Sequence, residues 1–251
     1  FLNWINRTLF QGSETAATIC ESMIAQAREA GARNPQLVGT PLAREFVQTP
    51  LQPLADDVNK VCYVGRLAAE KNIESFLELA AARPDLEFHV AGDGPLRAKV
   101  DQACVRLSNL HCHGWCTREQ VVALVDQCEV LVLPSSVEAF GTVALEAMAR
   151  QRLVITTPAC GINEWPALAR GLWVMQPDET LSDTLDRLAS LTSDERQAKA
   201  ASAREAALAM NNHAIEHWGS VLAHCATLKP CAASLPSPTL ALLRRLSSHH
   251  A

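Results

Sequence analysis

From Lys60 onward, short β-rich apolar runs alternate with stretches whose apolar residues recur every three or four positions. That rhythm is the signature of strand-helix units wound around a parallel sheet, because parallel strands need a long crossover and a helix fills it. The spacing predicts strands at 61–64, 86–91, 110–113, 130–133, 153–156 and 172–175, with helices at 72–82, 95–107, 118–127 and 142–149 between them. Six strands joined this way form a doubly wound α/β sheet of Rossmann-like type, which binds ligands at the carboxyl ends of its strands.

After Pro177 the pattern becomes helical. Leu181, Leu185 and Leu188 share one stripe, an Ala-rich helix is expected at 194–210, and a last helix carries Ile215, Trp218, Val221 and Leu222. The segment from 231 to the end holds proline and serine before a Leu-rich stretch, so it is expected to be poorly ordered. Its amphipathic end is of a kind that touches membranes peripherally in a parent protein, although a frayed tail is the stronger expectation.

The first fifty residues differ. A strand-like TLFQGS, a helix at 14–30 and a short strand at 36–38 cannot close a core alone. They read as the remnant of an acceptor-side N-terminal domain, and the proline-bearing stretch 34–53 reads as an interdomain connection. The resulting division is 1–54 for remnant and linker, 55–211 for the Rossmann-like domain and 212–251 for the C-terminal helix and tail. On this reading the N-terminal partner domain, of roughly 100 to 200 residues by ordinary domain size, is missing from the chain.

Composition narrows the function classes. With 48% hydrophobic and 20% charged residues, the chain has the make-up of a folded globular protein rather than a disordered one. A net charge of -5 without a basic run gives no footprint for nucleic acid. No stretch approaches the roughly 20 apolar residues of a membrane-spanning helix, so a cytoplasmic location, or one at the inner face of a membrane, is expected. The 9 cysteines are scattered through apolar runs and read as buried thiols rather than disulfides. His111, Cys112, His113 and Cys116 cluster in sequence, but strand alternation puts the two histidines and Cys112 on opposite faces, so no metal is expected there.

The chemistry should lie in the loops that follow the strands. The first loop reads Gly65, Arg66, Leu67, Ala68, Ala69, Glu70, Lys71, with a glycine for a sharp turn and two cations that could clamp a diphosphate; alone, such cations are usually solvated. The second, Gly92, Asp93, Gly94, Pro95, is explained by tight turning and is not a full dinucleotide fingerprint. The fourth strand ends in Pro134, Ser135, Ser136, Val137, Glu138, Ala139, Phe140, Gly141, Thr142, and the helix that follows holds Glu146. A carboxylate accepts hydrogen bonds from vicinal hydroxyls, and a helix N-terminus beside it favours an anion.

In order, VGRLAAEKN, AGDGPL and PSSVEAFGTVALEAMA resemble the C-terminal donor-binding domain of retaining glycosyltransferases of the GT-B fold, family four (glycosyl transferases group 1). The resemblance implies a nucleoside diphosphate-sugar donor, with Arg66 and Lys71 on the diphosphate, Glu138 on the sugar and Glu146 on the ribose hydroxyls. It also implies sugar and phosphate contacts from the backbone of Gly65, Phe140, Gly141 and Thr142. The loop carrying Trp115 and Cys116 would lie near the base, with Trp115 as a stacking partner.

Transfer with retention to an unidentified acceptor follows from the resemblance, as does a place in cell-envelope polysaccharide or lipopolysaccharide synthesis by analogy. No cofactor or metal is expected, because the cations stabilise the departing diphosphate, and neither glutamate is a covalent nucleophile. The chain departs from the family pattern at Gln151 and Arg152, where glycine and then proline are common, and at Cys160, where glycine is frequent. The first departure reads as structural and the second touches a loop near the donor sugar. The alternative from another class is a non-catalytic nucleotide-sugar-binding or interaction module.

Overall fold

The computed structural model describes residues 16–227. Two compact units divide the chain, Phe1–Glu216 and His217–Ala251. The first is built on a parallel sheet of β3 (Lys60–Val64), β4 (Glu87–Ala91), β5 (Leu110–Gly114), β6 (Val130–Leu133), β7 (Leu153–Thr156) and β8 (Leu172–Val174) in the order β5-β4-β3-β6-β7-β8. Its helices are α3 (Ile73–Ala82), α4 (Arg97–Arg106), α5 (Arg118–Gln127), α6 (Thr142–Ala149), α7 (Pro166–Ala169) and α8 (Leu181–Ala189). The described part of the second unit consists of the helical residues 217–227.

Alternation along each strand supplies two buried faces, as a sheet covered on both sides requires. Val61, Tyr63, Phe88, Val90, Val130, Val132 and Ile155 pack with residues of α3, α4 and α8. Cys62, Leu131, Leu133 and Val154 pack with α5 and α6 on the other face. At the β5 edge this second face carries His89, with its ring stacked on His111 at 4.9 Å and on His113 at 5.3 Å. Burial first, and then the charges of the other two histidines, lower the His89 pKa to about 4.

Ahead of the sheet, β1 (Ala16–Thr18) pairs in parallel with β2 (Pro35–Leu37) across helix α1 (Glu21–Glu29). The helix expected at 14–30 therefore begins later, because residues 16–18 are committed to strand pairing. This segment rests on the loop after β7: the Ser22 amide and hydroxyl donate to the two oxygens of Glu164 at 2.8 Å each, and Trp165 Nε1 donates to the Ile19 carbonyl at 3.0 Å. The proposed strand at TLFQGS and the tail from 231 lie outside the described residues.

Two further expectations are corrected. The helices expected at 194–210 and around Ile215 are one helix, α9 (Ser193–Thr227). No glycine or proline interrupts it at the junction, and buried Asn211 turns its side chain outward from the helix to accept from the Leu42 amide at 2.8 Å. Cys104 and Cys112 form a disulfide, since α4 packs on β5 with the two Cα atoms 6.4 Å apart. Cys20, Cys62, Cys128 and Cys160 are buried free thiols as expected.

The connection into the sheet passes through a short helix, α2 (Arg44–Gln48), and is held by two buried arginines. Arg150 binds Asp126 through two nitrogens at 2.6 and 2.9 Å and donates to the carbonyls of Thr49 at 2.6 Å and Pro50 at 2.7 Å. Arg152 donates to the carbonyls of Gln52 at 2.7 Å and Pro53 at 3.1 Å. This explains the departure at 151 and 152. Gln151 takes the left-handed conformation, φ 59°, that a glycine would adopt without strain, and the Arg152 amide donates to Ala147, which a proline could not do.

Removing one partner of a buried pair strands the other. Arg150→Ala is therefore expected to lower the unfolding free energy by about 3–5 kcal/mol in urea titration. A loss below about 1 kcal/mol, the scale of an exposed pair, would show that the clamp contributes little.

Candidate functional site

The chain runs from β3 outward to β4 and β5, then returns to β6 on the other side of β3. The strand order reverses between β3 and β6, and at such a switch point the two following loops separate into a crevice. Those loops are 65–71 and 134–141. They are tied together where the Ser136 amide at 3.0 Å and hydroxyl at 3.2 Å both donate to the Glu70 carbonyl.

The neighbouring loops press close against them. The Gly65 amide donates to Ala91, the Leu67 amide to Asp93 and the Gly92 amide to Gly114. A Cβ on Gly92 would stand 1.8 Å from the Gly65 carbonyl oxygen, so only glycine allows this approach. On the far side, the Gly161 amide donates to the Glu138 carbonyl and the Ile162 amide to the Phe140 carbonyl. A Cβ on Gly161 would fall 2.0 Å from the Ala139 oxygen. Cys160, in the same loop, is buried with its thiol directed at the Leu133 carbonyl, so its side chain lies beneath the loop.

Within this frame Lys71 Nζ lies 2.6 Å from Glu138 Oε2, with only 22% and 13% of the two side chains exposed. Arg66 is more open and lies 3.6 Å from Glu70. Tyr63 donates to the Arg66 carbonyl at 2.7 Å. Burial, then the charges of Glu138 and Glu70, hold its phenol above the usual range.

Gly141 caps α6, and Glu146 lies within that helix, one turn in from its start. Burial raises the Glu146 carboxyl pKa to about 7, opposed by the positive charge of Arg118.

The structure brings the expected residues together in three groups. Gly65, Arg66, Trp115 and Cys116 line one pocket of about 320 Å³ with Gly92 and Asp93, and Trp115 is 72% exposed at it. Lys71 and Glu138 form an ion pair outside that lining. Gly141 caps α6, which carries Thr142 and Glu146, and Phe140 turns its ring into the core against Trp165.

Sequence reading missed Arg118, Glu70 and Asp93 as members of the site. Arg118 opens α5 behind the Thr117 capping box, and a cation following a strand's carboxyl end was the only available signal. The His-Cys cluster divides as strand alternation requires, with Cys112 toward α4 and both histidines stacked on His89. Among the described residues, no group of three or more His, Cys, Asp or Glu side chains is arranged to hold a metal ion. None of the described helices is long and apolar enough to cross a membrane.

Comparison with known proteins gives this geometry a context. Residues 49–206 match the family described as glycosyl transferases group 1. The chain is 32% identical over 142 residues to alpha-D-kanosaminyltransferase of Streptomyces kanamyceticus, covering 53% of this chain and 37% of that protein. It is 31% identical over 110 residues to a GDP-mannose-dependent phosphatidylinositol dimannoside mannosyltransferase of Mycobacterium tuberculosis, covering 42% and 27%. The matched region thus spans well under half the length of these relatives.

Two solved structures share the fold. Sucrose-phosphate synthase from Thermosynechococcus elongatus aligns with TM-score 0.72 at 18% identity, over 90% of this chain and 62% of that one. HepE of Anabaena, solved in complex with UDP-glucose, aligns with TM-score 0.65 at 17% identity, over 88% and 68%.

The Glu146 environment has a measurable consequence. Its folded pKa stands above the unfolded value, so between about pH 4.5 and 7 the folded state keeps a proton that the unfolded state releases, and stability falls as pH rises through that window. Glu146→Gln cannot titrate. Its stability relative to the parent chain should therefore climb across the same window by about 3 kcal/mol and then level off, in denaturation series at stepped pH. A flat difference would contradict the burial of this carboxyl.

Proposed function

This chain belongs to the glycosyl transferases group 1 family, and we propose that it provides the donor site of a glycosyltransferase acting on a nucleoside diphosphate-sugar. The observation that carries the reading is the switch-point crevice, where Lys71 and Glu138 meet from two loops, with Arg66 on the first loop and the start of α6 after the second. The parallel with HepE, crystallised with UDP-glucose, supports the same ligand class.

In this reading the diphosphate lies against Arg66, Lys71 and the first amides of α6, around Gly141 and Thr142, which have no partner within the helix. Glu146 accepts the ribose hydroxyls and Glu138 those of the sugar. The base enters the pocket at Gly65 and Cys116, stacked on Trp115. When the bond from sugar to phosphate breaks, negative charge grows on the diphosphate. Cations fixed in advance stabilise that charge more than they stabilise the ground state.

No divalent metal is needed for this, and retention of configuration is part of the proposal. The same holds for an acceptor in cell-envelope polysaccharide or lipopolysaccharide assembly. A catalytic unit with these parts also needs an acceptor-side domain facing the crevice.

Calorimetric titration with uridine, guanosine and adenosine diphosphates tests the site, and binding by none of them would sink the reading. Binding should be unchanged by a metal chelator. Glu146→Ala should weaken every ribose-containing ligand by about 10- to 100-fold, the loss of hydrogen bonds to a charged group, while leaving inorganic pyrophosphate unaffected.

Hydroxyls donate to the ionised carboxylate, so nucleotide affinity should also rise as pH increases through about 7, with a proton released on binding. Affinity that is constant between pH 6 and 8 would remove Glu146 from the ribose.

A further inference from the structure

Both cations assigned to the diphosphate already face carboxylates, but on different terms. Arg66 and Glu70 are exposed, 64% and 43% by side chain, and such a pair yields readily to a ligand. Lys71 and Glu138 are mostly shielded from water and lie in direct contact. Their backbones are tied to each other and to the loop after β7. Glu70, next to Lys71, accepts from Ser136 and Val137, and the Glu138 carbonyl accepts from Gly161. With both backbones held, only the side chains can adjust. A phosphate reaching Lys71 must displace the Glu138 carboxylate or share the ammonium with it.

We propose that Glu138 competes with the donor's diphosphate for Lys71, so that the site favours nucleoside diphosphates carrying a sugar over the bare diphosphate. This rests on the donor-site reading given above. A sugar nucleotide supplies an anion to Lys71 and hydroxyl donors to Glu138, leaving both charges partnered. The bare diphosphate supplies only the anion. It leaves a shielded carboxylate without a donor and beside a ligand of like charge, which is costly. The bare diphosphate is also what remains after transfer, so the return of Glu138 to Lys71 favours its release. The step makes and breaks no covalent bond.

The test is calorimetric titration of the full chain and of Glu138→Gln with the three nucleoside diphosphates and their glucose conjugates, with folding checked by circular dichroism. The parent chain should prefer the sugar nucleotide. Glu138→Gln should bind the bare diphosphate about 3- to 10-fold more tightly than the parent, the scale of one ion pair released, and lose the preference. Glu138→Asp, which draws the carboxylate back by one methylene, should shift in the same direction and serves if the glutamine variant is unstable.

In a Lys71→Met background the gain should shrink; a gain of equal size there assigns it to charge repulsion and overturns the competition. Bare-diphosphate affinity that is unchanged or weaker in Glu138→Gln also overturns it. A parent chain that binds none of the ligands overturns the donor-site reading and the proposal together, whereas binding without the gain overturns the proposal alone.

Discussion

The hydrogen bonds that β3 makes to β4 on one side and to β6 on the other govern everything the crevice contains. They place two loops that are distant in sequence side by side at the carboxyl edge of the sheet, where the strand order reverses. Lys71 and Glu138 stand 67 positions apart in the chain and touch only because those strands pair. The loops are then secured by main-chain bonds of their own, which leaves the side chains as the adjustable part of the site.

Close backbone approach is what makes this possible. Gly92 against Gly65, and Gly161 against Ala139, bring four successive loops within hydrogen-bonding distance, and any Cβ at either glycine would force them apart. The loop after β7 in turn carries Glu164 and Trp165, which hold the β1-α1 segment. The β1-α1 segment and the loops around the crevice are thereby in mechanical contact through a handful of polar bonds. At the opposite end of α6 and at its exit, Arg150 and Arg152 hold the entering chain by its carbonyls. The helix that carries Glu146 is thus anchored to the connection at one end and faces the crevice at the other.

Much of this was legible in the residues. The strands at 130–133 and 153–156 and the helices at 118–127 and 142–149 coincide with the observed elements, because buried strands are short continuous apolar runs and the intervening helices are amphipathic. The early helix was misplaced because Ala16, Ala17 and Thr18 fit a helix as well as a strand until β2 is there to pair with them. Asn211 and Asn212 are weak helix formers at the join between the two expected helices, and a tertiary bond from Leu42 fixes Asn211 within one continuous helix. The Cys104 to Cys112 bridge could not be read from a sequence in which the cysteines were scattered; it depends on how α4 lies on β5.

The sequence by itself determined the strand-helix alternation, the loops that carry charge, and the spacing of Glu138, in a loop, from Glu146, in the helix that follows. These are local properties, fixed by side-chain period and by the residues that permit turns. The tertiary structure alone decided that Glu138 faces Lys71, that Glu146 is buried enough to hold its proton near neutrality, and that the charge of Arg118 acts on it. Those facts depend on distance and on exclusion of water, and neither exists until the sheet has brought separate loops together.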